Sequence, residues 1–275
     1  MSRPRFSHVS GYTAYMRMIH DDIVKRAAPG SSILDLPAGN GLFGEHLRVL
    51  GYDVTCADLN EAYPEFVKVN MEEPLPFPSE TFDVTVCMEG IEHVLRQRQL
   101  LSELVRVTKA GGLIYISTPN VSCLWSRIVL LMCGYFYQFK PSAQLIGDER
   151  STFDKGHISP IDVYTLGYVM AARGAGLVFA TADRVKKAVV VCPLAVVLYP
   201  FARWSAAHIH RRLHSRFFER KEAHPAYFNL RVFTGRSLIA AFRKTSHDLR
   251  GPAIRTDAAP LRCGSIDEPI LRTSQ

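Results

Sequence analysis

The chain of 275 residues has no CxxC pair among its six cysteines, Cys56, Cys87, Cys123, Cys133, Cys192 and Cys263. A zinc knuckle and a disulfide framework are therefore not indicated, and a reducing cytoplasm is the expected setting. The opening MSRPRFSHVSGYTAY lacks an apolar core of signal-peptide length, and no uninterrupted apolar run reaches the ~20 residues of a bilayer span. Export and a membrane-spanning helix are not expected. Internal repeats are absent too. Charged residues make up only 21% against 47% hydrophobic, the balance of a globular enzyme with a substantial core, and the length suits one domain.

What charge there is lies unevenly. Residues 1 to 120 hold 11 Lys and Arg against 15 Asp and Glu, and residues 121 to 275 hold 22 against 11. Attraction to an acidic partner therefore belongs to the C-terminal half.

In the first half short β-branched runs alternate with helical patterns. SSILDL, DVTCADL, FVKVN, FDVTVCM and LIYIST read as strands; Phe43 to Leu50 and Arg96 to Val107 read as helices. That rhythm predicts an α/β fold, a mostly parallel sheet with helices on both faces. After Pro119 comes the apolar VSCLWSRIVLLMCGYFYQF, with one charge at Arg127, then a polar loop. SPIDVYTLGYVMAARGAG predicts a helix capped by Ser159, with Pro160 in its first position and Gly174 or Gly176 beyond its end. LVFATAD and SLIAAF complete the strands. Residues 185–230 read as an insertion, apolar and then basic, and residues 245–275 as a disordered tail.

Between the first strand and its helix, LDLPAGNGLFG carries Gly39, Gly41 and Gly44 in the spacing of a dinucleotide-binding turn. Such glycines let backbone approach a ligand, and Asp58, ending the second strand, is placed to bind a ribose. Asp35 discriminates between ligands. A carboxylate at the tip of the first strand repels a pyrophosphate but attracts a cation, which favours S-adenosylmethionine with its ammonium and sulfonium. A nicotinamide dehydrogenase survives only if Asp35 points away from the loop.

After the fourth strand, MEGIEHV holds Glu89, Glu92 and His93. If this turn is helical, spacings of i, i+3 and i+4 bring all three to one face, where His157 could add a fourth ligand for Mg or Mn. Such a cation would act as a Lewis acid on an acceptor oxygen. A metal-free alternative makes His157 the general base, and a plainer one has it bond loop backbone.

Two further segments carry surface chemistry. Residues 121–139 could line a pocket for an apolar acceptor, lie on a membrane, or pack as a buried helix. The run from 188 to 201 is broken by Pro193 and Pro200 and is too short to span. Arg203, Arg211, Arg212, Arg216, Arg220 and Lys221 follow it, with Ile209, Leu213 and Phe217 forming an apolar stripe. That suits an interfacial helix at an anionic bilayer, with peripheral membrane association through 121–139 and 188–221, or an RNA backbone, or plain solvated charge.

In order and spacing, ILDLPAGNG, VTCADLN, VNMEEPLPF, FDVTVCMEGIEHV, ELVRVTKAGGLIYISTPN and GHISPIDVYTLGYVMAARGAGL resemble the motifs of class I S-adenosylmethionine-dependent methyltransferases. The resemblance covers about residues 10 to 183, with GRSLIAAFRK similar to the family's last strand. It implies a Rossmann-like, seven-stranded, mostly parallel sheet whose last strand is antiparallel, with helical lid insertions at 121–155 and 185–230 in a domain spanning 1–244. It also implies that Asp35 binds the methionine ammonium, Gly39 and Gly41 let the chain pass the cofactor, and Asp58 holds the ribose. Asn70 and Met71 would flank the adenine, and Ala38, Leu59, Met88 and Glu89 would complete the contacts. Pro37 stands where the family commonly has glycine, and Asn40 where threonine or serine is common. ExxEH with the distant His157 resembles the small-RNA 3′-terminal 2′-O-methyltransferases, in which such residues hold a magnesium-type ion. The EH pair is similar to that of the quinone O-methyltransferases.

The expected function is O-methylation of a hydroxyl on a small apolar, lipid-linked or secondary-metabolite acceptor. His157 and His93 are the candidate catalytic groups, in a cytoplasmic protein peripheral to the inner face of the membrane. The alternatives are a metal-dependent RNA ribose 2′-O-methyltransferase, disfavoured because no RNA-binding module accompanies the domain, and a non-catalytic S-adenosylmethionine-binding protein.

Overall fold

The computed structural model describes residues 11–60, 63–139, 156–213, 227 and 229–245. The polar loop after Phe139, the cations Arg216, Arg220 and Lys221, and the tail expected to be disordered lie outside the described residues. So do Phe217 and the side chains of Ile209 and Leu213, the expected apolar stripe.

Seven strands form one sheet: β1 (Ser32–Asp35), β2 (Asp53–Asp58), β3 (Val67–Lys68), β4 (Phe82–Met88), β5 (Thr108–Pro119), β6 (Ala175–Ala182) and β7 (Ser237–Lys244). They lie in the order β3-β2-β1-β4-β5-β7-β6. Only β7 runs antiparallel, inserted between β5 and β6. The expected architecture is present. The order reverses between β1 and β4, so ligand-binding loops are expected at the carboxyl ends of those strands.

Period-two alternation along β5 builds a core on each face. Ile114 and Ile116 join the cluster under α3 (Gln97–Val107) and α5 (Val163–Ala171). Leu113 and Tyr115 face the opposite way, under α1 (Ala14–Arg26) and α2 (Leu42–Val49). Helix α3 buries Leu100, Leu101 and Leu104 completely, and each such side chain contributes about 1.5–3 kcal/mol. Helix α1 was not anticipated. Thr13 caps it by accepting the Met16 amide at 3.3 Å, and Tyr15, Ile19 and Ile23 form its buried stripe.

Two expectations fail here. Helix α5 is capped not by Ser159 but by Asp162, which accepts from the Tyr164 and Thr165 amides. The amides of Ile158 and Ser159 both donate to the Glu92 carbonyl at 3.0 Å, and the Ser159 carbonyl accepts from Gln97. Pinned in this way, 157–159 is an extended strap, and the helix can begin only after it. The second failure concerns the Pro-broken run. Residues Ala188–Leu213 form one helix, α6, with Pro193 and Pro200 inside it. Its stretch Ala188–Ser205 is, by length and composition, long and apolar enough to cross a membrane. The sequence argument took each proline as a stop, whereas a helix can lose single backbone hydrogen bonds and continue.

Helix α2 meets β2 very closely. A Cβ on Gly44 would lie 2.5 Å from Cys56 Sγ and 3.3 Å from Val54. Gly44→Ala is expected to destabilise the protein by about 1–3 kcal/mol in urea unfolding. Adding Cys56→Ala should recover most of the loss, and additive losses would contradict the contact.

Candidate active site

The turn after β1 is shaped by two left-handed glycines, Gly39 at φ +58° and Gly41 at φ +73°, a conformation that side-chain-bearing residues rarely adopt. The Ala38 amide donates to the Ala57 carbonyl at 2.9 Å, and the Gly39 amide donates to Asp58 Oδ2 at 2.8 Å. Asp58 also accepts the Asn60 amide, through Oδ1 at 3.0 Å. The carboxylate expected to hold a ribose thus also ties the glycine turn to β2. Each carboxylate oxygen has a second lone pair left for a ligand hydroxyl. Asn40 accepts the Leu42 amide at the start of α2. Pro37 packs on Gly90, where a Cβ would lie 2.5 Å from its Cδ. The departure from the usual glycine at 37 therefore joins the turn after β1 to the turn after β4.

Asp35 ends β1 with no exposed surface. Among the described residues neither of its oxygens makes a hydrogen bond of ordinary geometry. Loss of water, and then the neighbouring Asp58 charge, push its carboxyl up to about 8, against weaker pulls from Arg48 and the Gly44 amide. A buried carboxylate without partners is costly unless something cationic completes it.

Asn70 organises its own turn, accepting the Glu72 amide at 3.0 Å and donating to Glu73 at 2.8 Å. Its carbonyl keeps one lone pair for an adenine amine. Met71 is half-buried against the main core, Leu59 is half-buried after β2, and Met88 is buried at the end of β4.

The expected single face for Glu89, Glu92 and His93 is not formed. Glu89 has φ +46° at the end of β4, and only Ile91–His93 makes a turn of 3-10 helix. Because Gly90 is pressed against Pro37, the chain turns before a helix can start. Glu89 accepts from Ser117 Oγ at 3.4 Å and lies in the field of Arg236. The structure instead gathers Glu92, His93 and His157, whose potential ligand atoms lie within 4.8 Å of one another. Glu92 is fully buried, accepts from Thr118 Oγ1 at 3.1 Å, and among the described residues has no hydrogen bond at Oε1. Burial and the neighbouring Glu89 hold its carboxyl well above the usual range.

The rings of His93 and His157 meet edge to face at 4.9 Å. His157 Nδ1 lies 3.0 Å from the Gln138 carbonyl. A carbonyl only accepts, so this nitrogen carries a proton, and in the neutral ring the lone pair is on Nε2.

Sequence reasoning missed three contributors. Gln97 Nε2 donates to both the Ile91 and Ser159 carbonyls, at 2.9 and 2.7 Å, clamping the two histidine-bearing segments together. Tyr12 and Tyr15 bring α1 to the site. Tyr12 lies in the field of Asp35 and Tyr15 in that of Glu89, and burial raises both phenols. The pair in GYTAY, at the start of the helix, was the available signal.

With that geometry established, comparison with known proteins is informative. Residues 10–178 match the family model described as a methyltransferase domain. This chain belongs to that family. Ubiquinone biosynthesis O-methyltransferase of Hahella chejuensis is 31% identical over 115 residues, covering 36% of this chain and 48% of that protein. The enzyme of the same name from Dechloromonas aromatica is 30% identical over 126 residues, covering 41% and 54%. The chain thus matches about half the length of these curated relatives. In fold it is similar to a solved SAM-dependent methyltransferase of Archaeoglobus fulgidus, with a TM-score of 0.50 and 16% identity over 83% of this chain and 94% of the other. It is likewise similar to a protein of Pyrococcus horikoshii, with a TM-score of 0.51 and 14% identity over 88% and 96%.

S-adenosylmethionine, the co-substrate that this family implies, fits the residues present. Its ammonium would complete the unpartnered Asp35, its ribose would meet Asp58, and the left-handed glycines clear its path along the turn.

Asp35 sets a pH dependence. Its folded value of about 8 exceeds the unfolded value of about 3.9, so the folded state binds more protons between the two. The stabilising contribution is complete below pH 4 and is lost as pH rises towards 8, with a slope of up to about 1.4 kcal/mol per pH unit. Urea unfolding of the ligand-free protein should show this slope, and Asp35→Asn should reduce it, leaving the share of the buried Glu89 and Glu92, whose carboxyls are also raised. An unchanged slope in the variant would exclude Asp35 as its source.

Proposed function

We propose that the chain transfers a methyl group from S-adenosylmethionine to a hydroxyl of a small apolar acceptor. The observation that carries this reading is the buried Asp35 at the end of β1, beside a turn of left-handed glycines. His157, whose Nδ1 faces the Gln138 carbonyl, stands with Glu92 and His93 after the neighbouring strand β4. When bound, the co-substrate supplies an electrophilic methyl on sulfonium. Asp35 binds the ammonium end, and Asp58 orients the ribose while holding the glycine turn. His157 Nε2 accepts the proton of the acceptor hydroxyl. Glu92 lies 4.0 Å from His93, so ionisation of its raised carboxyl would accompany proton uptake by the imidazole pair. Orientation of the acceptor supplies much of the rate.

An apolar acceptor is supported by the surroundings of His157. Phe139 lies 5.6 Å from its ring, and Trp125 and Tyr137 stand 6.3 Å apart. These aromatics lead from His157 to α4 (Leu124–Cys133), where Ser126 Oγ accepts the Tyr137 amide. The relatives' printed names add support for a hydroxyl as acceptor.

A second reading rests on the cluster of Glu92, His93 and His157. One carboxylate with two imidazoles suits a borderline cation such as manganese better than magnesium, which prefers oxygen ligands. In that reading the histidines are ligands and the cation acidifies the hydroxyl. It is also the version closest to an RNA ribose 2′-O-methyltransferase, which the exposed apolar helix opposes.

The test is methyl transfer to catechol-type and prenylated phenol acceptors, with and without EDTA. His157→Ala should lower kcat by roughly 10²–10⁴-fold while leaving S-adenosylhomocysteine affinity within a factor of a few. Activity that survives EDTA supports the metal-free base. Loss with EDTA, restored by manganese and coupled to manganese binding that Glu92→Ala removes, supports the second reading. Full activity in His157→Ala would contradict both.

A further inference from the structure

Helix α6 has one stripe for the protein and leaves the rest unclaimed. Val191 and Ala195 are buried against Leu124 of α4 and Phe233 of the short helix Leu230–Thr234, with Tyr199 and Ala202 continuing the stripe at helical spacing. Around the remaining surface, Val189, Val196, Val197, Phe201 and Trp204 are between 59% and 91% exposed, and Leu131 of α4 is 84% exposed beside them. Large contiguous apolar surface of this kind marks an interaction site.

Charge identifies the partner. From Arg184 to Phe218 the sequence has seven cations and no carboxylate. Arg184, Lys186 and Lys187 precede the apolar stretch, and Arg203, Arg211, Arg212 and Arg216 follow its midpoint. An apolar stretch bordered in sequence by cations matches a leaflet whose hydrocarbon is bordered by anionic headgroups.

We propose that α6, with the exposed end of α4, seats this protein in the plane of an anionic bilayer leaflet. In-plane seating follows from the buried stripe. Ala188–Ser205 is about 27 Å long, close to the hydrocarbon thickness of about 30 Å. Crossing the bilayer would nevertheless strip Val191 and Ala195 from Leu124 and Phe233. Lying in the surface keeps those contacts and buries the outer faces. Pro193 and Pro200 then sit in a helix whose environment tolerates them. Because α4 leads through Tyr137 and Gln138 to His157, a membrane-borne acceptor would reach the site from the seated side.

The proposal stands apart from the chemistry, since its readout involves no turnover. The chain has two tryptophans, so Trp125→Phe leaves Trp204 as sole reporter. The full chain would be mixed with vesicles of phosphatidylcholine alone and of phosphatidylcholine with phosphatidylglycerol. Sedimentation with the anionic vesicles, a blue-shifted Trp204 emission, and stronger quenching by shallow than by deep brominated lipids are expected. The double variant Val197→Glu/Phe201→Glu should weaken partitioning by roughly tenfold or more and leave S-adenosylhomocysteine binding unchanged, which verifies its fold. No sedimentation would overturn the proposal. So would equal partitioning by the double variant, a shielded Trp204 in a vesicle-free dimer, or strongest quenching from the bilayer centre, the mark of a spanning helix.

Discussion

The site depends on one electrostatic constraint. Asp35 and Asp58 stand at the ends of adjacent parallel strands, and the first is buried without a hydrogen bond of ordinary geometry. Asp58 is engaged by the Gly39 and Asn60 amides and keeps ordinary company. Asp35 has only distant help, so its carboxyl is held towards neutrality until a cation arrives. Such an arrangement would disfavour a pyrophosphate and suit an ammonium. Backbone comes close to that carboxylate at Gly44, where a Cβ would lie 3.7 Å from Asp35 Oδ2.

A second layer of organisation concerns position. The 3-10 turn Ile91–His93 and the strap 157–159 come from distant parts of the chain. Two amides on the Glu92 carbonyl and the bifurcated Gln97 side chain join them. His93 and His157 meet because their backbones are tied, and the Gln138 carbonyl then fixes which His157 nitrogen carries the proton. That tie links the histidine pair to the segment leading from α4, so chemistry and apolar surface share one scaffold.

Much of this was legible in the sequence because it is periodic or local. Strand alternation and the glycine spacing give the sheet and its first turn, and Asp35 argues for a cation from its strand position alone. The misreadings were tertiary. Ser159 and Pro160 have ideal local cap chemistry, yet the strap's bonds to Glu92 and Gln97 outcompete helix initiation there. Glu89 was aligned with Glu92 by helical spacing, but Gly90 packing on Pro37 replaces the helix with a sharper turn. Pro193 and Pro200 looked like breaks because local rules count a lost hydrogen bond and cannot count the surroundings of a long helix. Gln97, Tyr12 and Tyr15 carry no motif, and only the fold brings them to the site.

The most direct test of the central claim is the proton count on binding. Calorimetric titration with S-adenosylhomocysteine at pH 7, in buffers of different ionisation enthalpy, reports protons released per ligand bound. Because burial and the Asp58 charge push the Asp35 carboxyl up to about 8 and an ammonium favours its anion, release of a large fraction of one proton is expected. Asp35→Asn should bind far more weakly and release none. Tight binding with no proton released by the unaltered protein, or unchanged binding by Asp35→Asn, would contradict the account.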